Sequence, residues 1–180
     1  MSASDQSAAA GNTPEASLPI RVLFLCTANS ARSQIAEALL TKKGGARFVV
    51  ASAGSHPANA VRPEAIEALA EIGIDWSRRR PKSLDAVMDQ PWDLLITLCD
   101  RMHESCPTLP SRPVYAHWGV ADPGAVIDVA RRAVAFLDAV ALIAWRLDLM
   151  LALRPEALDR LVLSERLRAI GLEHPELEQR

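Results

Sequence analysis

The sequence predicts an α/β fold: three αβα layers around a four-stranded parallel sheet, with a long helical segment towards the C-terminus. Three observations carry this. Short apolar runs at 22–25, 47–52, 92–98 and 114–118 read as strands buried on both faces. Between the early ones, 33–43 and 63–73 repeat their apolar residues at helical spacing. Then 126–153 keeps that spacing over a long stretch, apolar on most of its circumference.

The chain has 180 residues, 49% of them hydrophobic, enough for one domain with a substantial core, expected over 20–180. Residues 1–19 are rich in Ala, Ser, Gly and Pro and read as a disordered extension. They lack the basic start and apolar core of a signal peptide. A net charge of −2 gives no footprint for nucleic acid or an anionic membrane. Three scattered cysteines are an odd number and form no secreted disulfide framework, so the expected compartment is the cytoplasm.

The first strand, Val22 to Leu25, ends at Cys26, and Arg32 follows six residues later at the start of a helix over Ser33 to Lys43. Ile35, Ala36, Leu39 and Leu40 form its apolar face. The connecting loop (Thr27, Ala28, Asn29, Ser30, Ala31) is made of small residues, so its backbone can wrap closely around an anion. Unpaired N–H groups and the helix dipole favour a tetrahedral oxyanion there. The planar guanidinium of Arg32 would add two parallel charge-assisted bonds. The same field favours a thiolate at Cys26, and Ser33 would donate its hydroxyl proton to it.

Lys42-Lys43-Gly44-Gly45 ends the helix with cations and glycine. Arg47 to Ser52 is the second strand, completing a βαβ unit, and Ala53 to Pro57 is a loop on the same sheet edge as the Cys26 loop. His56 within it reads as an exposed loop histidine. Pro63 to Gly73 is an amphipathic helix with proline at its first turn and glycine past its end. Arg78-Arg79-Arg80 reads as a solvated loop. Trp92 to Leu98 is the third strand, and it too runs into a cysteine, Cys99. Ligands sit outside the carboxyl ends of parallel strands, so two strands deliver thiols to one edge.

Cys106 follows within reach of a reversible disulfide with Cys99. The six residues between them do not suit a zinc pair, and no metal is expected. Val114 to Trp118 is the fourth strand. Asp122 lies on a loop before the long helix and reads equally as an acid facing the site or as that helix's N-cap. Charges at Asp138, Arg146 and Asp148 make Val126 to Leu153 too broken to span a membrane. Pro155 opens a final helix with Leu158, Leu161, Val162 and Leu167 in its stripe. That stripe reads as packing on the long helix or as a homodimer contact, so a monomer or weak homodimer is expected.

Residues 25–34 resemble the anion-binding loop of the low-molecular-weight tyrosine phosphatase fold. The stretch 98–107, with His117-Trp118-Gly119 and Asp122-Pro123, is similar to the thioredoxin-coupled arsenate reductases built on that fold; the likeness spans roughly 20–171. It implies that Cys26 attacks arsenate, Arg32 clamps it and Asp122 protonates the departing oxygen. Cys99 then resolves the adduct to a Cys26–Cys99 disulfide, and Cys106 converts that to a Cys99–Cys106 disulfide for thioredoxin. Thr27, Ala28, Asn29, Ser30, Ala31, Arg32 and Ser33 would bind substrate, with phosphate or sulfate competing, and no cofactor is implied. A monovalent cation site known in some relatives is matched by residue type at Asn29, Glu37 and Ser52. Ala28 replaces a usual glycine, and Ala31 a site that often carries a further cysteine.

Two other readings use the same residues. A phosphomonoester hydrolase would need Cys26, Arg32 and Asp122 but neither Cys99 nor Cys106, because water resolves its intermediate. A non-catalytic anion or thiol-redox sensor would keep the cysteines without requiring Asp122.

Overall fold

The computed structural model describes residues 18–174, so nearly all of the expected N-terminal extension lies outside the described residues. Four strands, β1 (Ile20–Cys26), β2 (Phe48–Gly54), β3 (Leu94–Thr97) and β4 (Val114–His117), form one sheet in the order β2-β1-β3-β4. All three pairings are parallel. The predicted fold class is therefore the observed one.

Alternation along β1 explains its unbroken apolar run. Val22 and Phe24 enter one core together with residues of α1 (Arg32–Gly44), α2 (Pro63–Glu71), α4 (Val129–Ala152) and α5 (Arg160–Leu172). Leu23 and Leu25 point to the other face, where Val87, Trp92, Met102 and Leu109 cover them. That second layer is thin, with α3 (Asp100–Glu104) as its only α-helix among the described residues. From Val22 to Cys26 both faces of β1 are dry, which is why no polar residue interrupts that run.

Several boundaries differ from the sequence reading, each for a capping reason. The long helix starts at Val129, because Asp128 caps it by accepting from the Arg131 amide at 2.8 Å. Asp122 instead caps a separate 3-10 turn, Pro123–Ala125, by accepting from the Gly124 amide at 3.0 Å. The last helix begins at Arg160 under an Asp159 cap, and Pro155 heads its own short turn. Its buried stripe is accordingly Leu163, Leu167 and Ile170, while Leu161 is exposed. On α4 the face with Phe136, Val140, Ile143 and Leu147 is buried, and Val134 faces outward.

The buried guanidinium of Arg146 on α4 ties three segments together. It donates to the carbonyls of Gly119 at 3.0 Å, Gly171 at 3.1 Å and Glu173 at 3.3 Å. The last two are carbonyls at the end of α5, where a cation is favoured. Gly171 lets α5 come this close to the sheet: a Cβ there would stand 2.1 Å from the His117 carbonyl oxygen. No helix among the described residues is long and apolar enough to cross a membrane.

Candidate active site

β1 delivers Cys26 to the carboxyl edge of the sheet, and residues 27–31 turn straight into α1. The neighbouring segment grips this loop by its backbone. The amides of His56, Ala58 and Arg62 donate to the carbonyls of Thr27, Ala28 and Ser30 at 2.9, 2.9 and 2.8 Å. Gly54 stands opposite Cys26 in the register, and a Cβ there would meet the Thr27 carbonyl oxygen at 2.6 Å. Glycine at that position is what allows the end of β2 to close on the loop. The segment from 53 to 57 thus shares the edge with Cys26, as expected. His56 is exposed and meets only the Ser55 hydroxyl.

The loop's left-handed residue is Asn29, at φ 47°, and not Ala28. The replacement of glycine by Ala28 is therefore accommodated at ordinary φ. Asparagine tolerates the left-handed region because its side chain bonds locally, and here it does so fully. Asn29 is completely buried. Its Nδ2 donates to Ser33 Oγ and to Ser52 Oγ, both at 2.8 Å, and its Oδ1 accepts from the Lys82 amide at 2.7 Å and Gln34 Nε2 at 3.1 Å. Two donors and two lone pairs are all used.

This network aims a proton at the thiol. Ser33 Oγ accepts from Asn29, so its own hydrogen is free to point at Cys26 Sγ, 2.9 Å away. The Glu37 carboxylate, also buried, accepts from Ser52 Oγ and from Lys82 Nζ at 3.0 Å. The position matched to a monovalent cation site by residue type thus has a lysine ammonium against its carboxylate. Arg79, read from sequence as solvated, stacks over Trp76 at 4.5 Å and approaches Glu37 at 3.9 Å.

No side chain caps the start of α1, which leaves its first N–H groups to the cleft. The cleft has a volume of about 290 Å³, and Cys26, Arg32, Arg62, Arg101 and Asp122 are among its lining residues. Arg32 donates NH1 to the Val120 carbonyl at 2.9 Å and holds NH2 3.7 Å from Asp122 Oδ2. Asp122 thus lines the cleft while capping its own short turn, and the reading of it as N-cap of the long helix is corrected, since Asp128 holds that place. Arg62 and Arg101 are site residues that the sequence reading missed. No local pattern marks either; Arg62 only precedes Pro63, and its guanidinium lies so near Gly124 that a Cβ there would meet it at 2.6 Å. A larger, mainly apolar cavity of about 500 Å³ lies between the 120–126 segment and α4, and none of the three thiols lines it.

Cys99 follows β3, the strand hydrogen-bonded to β1, and is buried. Its Sγ lies 3.4 Å from the hydroxyl of Thr27, the residue after Cys26. Cys106 lies beyond α3, half-buried, with burial pushing its thiol pKa up. All three cysteines are free thiols. The structure thus brings together Cys26, Arg32, Ser33, Asp122 and Cys99 and leaves Cys106 outside the cleft.

Known proteins resemble this chain in sequence and in fold. A 43% identical relative, the arsenate reductase of Halalkalibacterium halodurans, aligns over 102 residues, covering 57% of this chain and 73% of its own. A Corynebacterium glutamicum thioredoxin-dependent arsenate reductase superposes with a TM-score of 0.51 at 31% identity, over 71% of this chain and 61% of that one. The arginine phosphatase YwlE of Geobacillus stearothermophilus superposes with a TM-score of 0.60 at 25% identity, over 87% of this chain and 97% of that one. The family model described as low molecular weight phosphotyrosine protein phosphatase matches residues 21–130, which contain the loop, all three thiols and Asp122. With its parallel sheet, its thiol at the head of an uncapped helix and this match over most of its length, the chain belongs to the low molecular weight phosphotyrosine protein phosphatase family.

Proposed function

We propose that the protein reduces arsenate to arsenite by passing two electrons through three thiols, with thioredoxin as the final reductant. The observation that carries this reading is the pairing of Cys26 and Cys99. Cys26 ends β1 and Cys99 follows the adjacent strand β3, with its Sγ 3.4 Å from the hydroxyl of Thr27, the residue after Cys26, and Cys106 lies beyond the other end of α3. The names of the relatives agree with it.

Arsenate, a tetrahedral dianion, rests on the N–H groups at the start of α1 and on the free donors of Arg32. The Cys26 thiolate attacks arsenic, and an oxygen leaves as water after taking its proton from Asp122. Cys99, as thiolate, then attacks the Cys26 sulfur. The S–As bond breaks with its electron pair remaining on arsenic, which departs as arsenite and leaves a Cys26–Cys99 disulfide. Cys106 attacks Cys99, restoring the Cys26 thiolate and forming a Cys99–Cys106 disulfide. A thioredoxin dithiol reduces this and becomes a disulfide itself. The segment carrying Cys99 and Cys106 must open for that exchange, because α3 fills the space between them. Arsenate-dependent oxidation of NADPH in the presence of thioredoxin and its reductase tests the reading; no oxidation above a no-arsenate control overturns it.

Hydrolysis of phosphomonoesters is the second reading. The resemblance to a phosphatase extends over more of this chain than that to the reductase. It uses the same loop and Asp122, but assigns nothing to Cys99 and Cys106.

A further inference from the structure

The segment that separates Cys99 from Cys106 is fastened to the sheet by five side chains outside the anion cleft. Their bonds run in one direction. His117 Nε2 is 3.3 Å from Asp100 Oδ1, and an ionised carboxylate only accepts, so Nε2 carries the ring's hydrogen. Burial first, and the neighbouring His103 second, hold the His117 pKa below the usual imidazole value, which leaves the ring neutral at pH 7. Its Nδ1 is then an acceptor, and the Thr97 hydroxyl donates to it at 2.9 Å. Thr97 Oγ1 in turn accepts from Tyr115 Oη at 3.0 Å, and Tyr115 accepts from His103 Nδ1. The rings of His103 and His117 stack with centroids 4.3 Å apart. Asp100 is the first residue of α3 and His103 its fourth, so both ends of the helix are held to β4, whose Tyr115 and His117 are in turn tied to Thr97 of β3.

We propose that Thr97, Tyr115 and His117, gripping Asp100 and His103, form a latch that keeps α3 folded at neutral pH and releases it on acidification. Tyr115 and His117 are positioning residues, and what they position is the pair of thiols at the two ends of α3. The use of the latch in a relay rests on the reductase reading; its existence does not. Other groups face it: Cys106 beside Tyr115, and Arg168 of α5, whose positive charge acts on Tyr115. A proton on His117 Nδ1 would turn it from acceptor to donor, reversing the bond with Thr97 against the run of the chain, and would put a cation in the stack; the ion pair gained with Asp100 is outweighed, since the net shift of the His117 pKa is downward. Because the closed state depresses the His117 pKa below 6.5, its contribution is complete above that value and is lost as pH falls beneath it.

Hydrogen exchange on the full chain tests this without arsenate. The amides of Met102, His103 and Ser105 bond to the carbonyls of Cys99 and Arg101 and report on α3 directly. Corrected for intrinsic rates, their protection should fall about tenfold between about pH 7.5 and about pH 5.5, while that of β1 amides stays constant. Tyr115→Phe keeps the ring but removes the link, and should lower α3 protection by about tenfold already at the higher pH. The same variant should form the Cys99–Cys106 disulfide faster under mild diamide oxidation. Protection of α3 that ignores pH, or a Tyr115→Phe variant that loses protection equally in β1, overturns the latch. A latch that responds as described in a protein inactive on arsenate would overturn only the reductase reading.

Discussion

Asn29 Nδ2 lies 2.8 Å from Ser33 Oγ, and that one bond sets the direction of the next, from Ser33 to the Cys26 sulfur. A single buried amide therefore holds the loop's left-handed turn and orients the hydroxyl that meets the thiol. Asn29→Gly keeps the turn and loses the four bonds; Asn29→Ala loses both. Each should destabilise the fold by about 2–4 kcal/mol, because the Ser33, Ser52, Gln34 and Lys82 groups are left unsatisfied. Alanine should be worse by a further ~1 kcal/mol of backbone strain. Urea unfolding of the two variants measures both quantities, and equal midpoints would show that the turn carries no strain.

Arg32→Lys keeps the charge but not the planar fork. With NH1 committed to Val120, a two-bond grip on an oxyanion needs the remaining guanidinium donors, which a single ammonium does not supply. Catalytic efficiency on arsenate should fall at least about tenfold, a loss of about 1.4 kcal/mol or more in transition-state binding. Protection of Cys26 from brief iodoacetamide treatment by phosphate or sulfate should weaken in parallel. Wild-type kinetics in the lysine variant would make the arginine a structural residue.

The site was legible in the sequence wherever chemistry and periodicity coincide. Cys26 ends an apolar run and Arg32 opens a helix, so both could be placed from neighbours a few residues away. Cys99 could be placed because β3 is equally short and apolar. Arg62 and Lys82 could not, because the loops that bring them to the site carry no periodic signal, and neither could Arg101, because the five residues of α3 are too few to show one. The Asn29 network was hidden for a related reason: its partners come from residues 33, 34, 52 and 82, and only the folded chain makes them neighbours. The helix starts at Val129 and Arg160 were misplaced because a short 3-10 turn, headed by Pro123 and by Pro155, precedes each. Asp128 and Asp159 set the starts, since their carboxylates reach the first free amides of the helix.

Arg146 is the structural counterpart of that lesson, a charge inside a helix that the pattern marks only as an interruption. Its buried guanidinium has carbonyls for partners, and burial pulls its pKa down. Arg146→Met fills the space but leaves those carbonyls without donors. We expect a loss of roughly 2–4 kcal/mol, read as a lower urea midpoint at unchanged slope. A variant as stable as wild type would show that water replaces the guanidinium without cost.

Burial raises the Cys106 pKa above the ordinary thiol value, so its thiolate is scarce at neutral pH. The sign follows directly: protonation is favoured in the closed state, and each unit of rising pH increases the reactive fraction. Conversion of a Cys26–Cys99 disulfide to Cys99–Cys106 should therefore accelerate up to and beyond pH 9 without levelling off. Stopped-flow quenching with mass mapping of the disulfides measures it. A plateau near neutral pH would mean that the segment opens first and frees Cys106 from its buried environment.

The relay itself separates reductase from phosphatase, and two serine variants decide it. Cys106→Ser retains Cys26 and Cys99, which suffice for one reduction, so a single-turnover experiment should release one arsenite per enzyme. The protein should then stop as a Cys26–Cys99 disulfide that thioredoxin reduces poorly, since Cys99 is buried beside Thr27. Cys99→Ser should release almost no arsenite, because nothing near the cleft can take the sulfur of the adduct. Hydrolysis of an aryl phosphate, if the wild type performs it, should survive both changes, as that reaction needs only the loop and Asp122. Arsenite release measured alongside disulfide mapping distinguishes these outcomes. Repeated thioredoxin-driven turnover of arsenate by both variants would rule out the three-thiol route and leave Cys26 to be resolved by an external thiol.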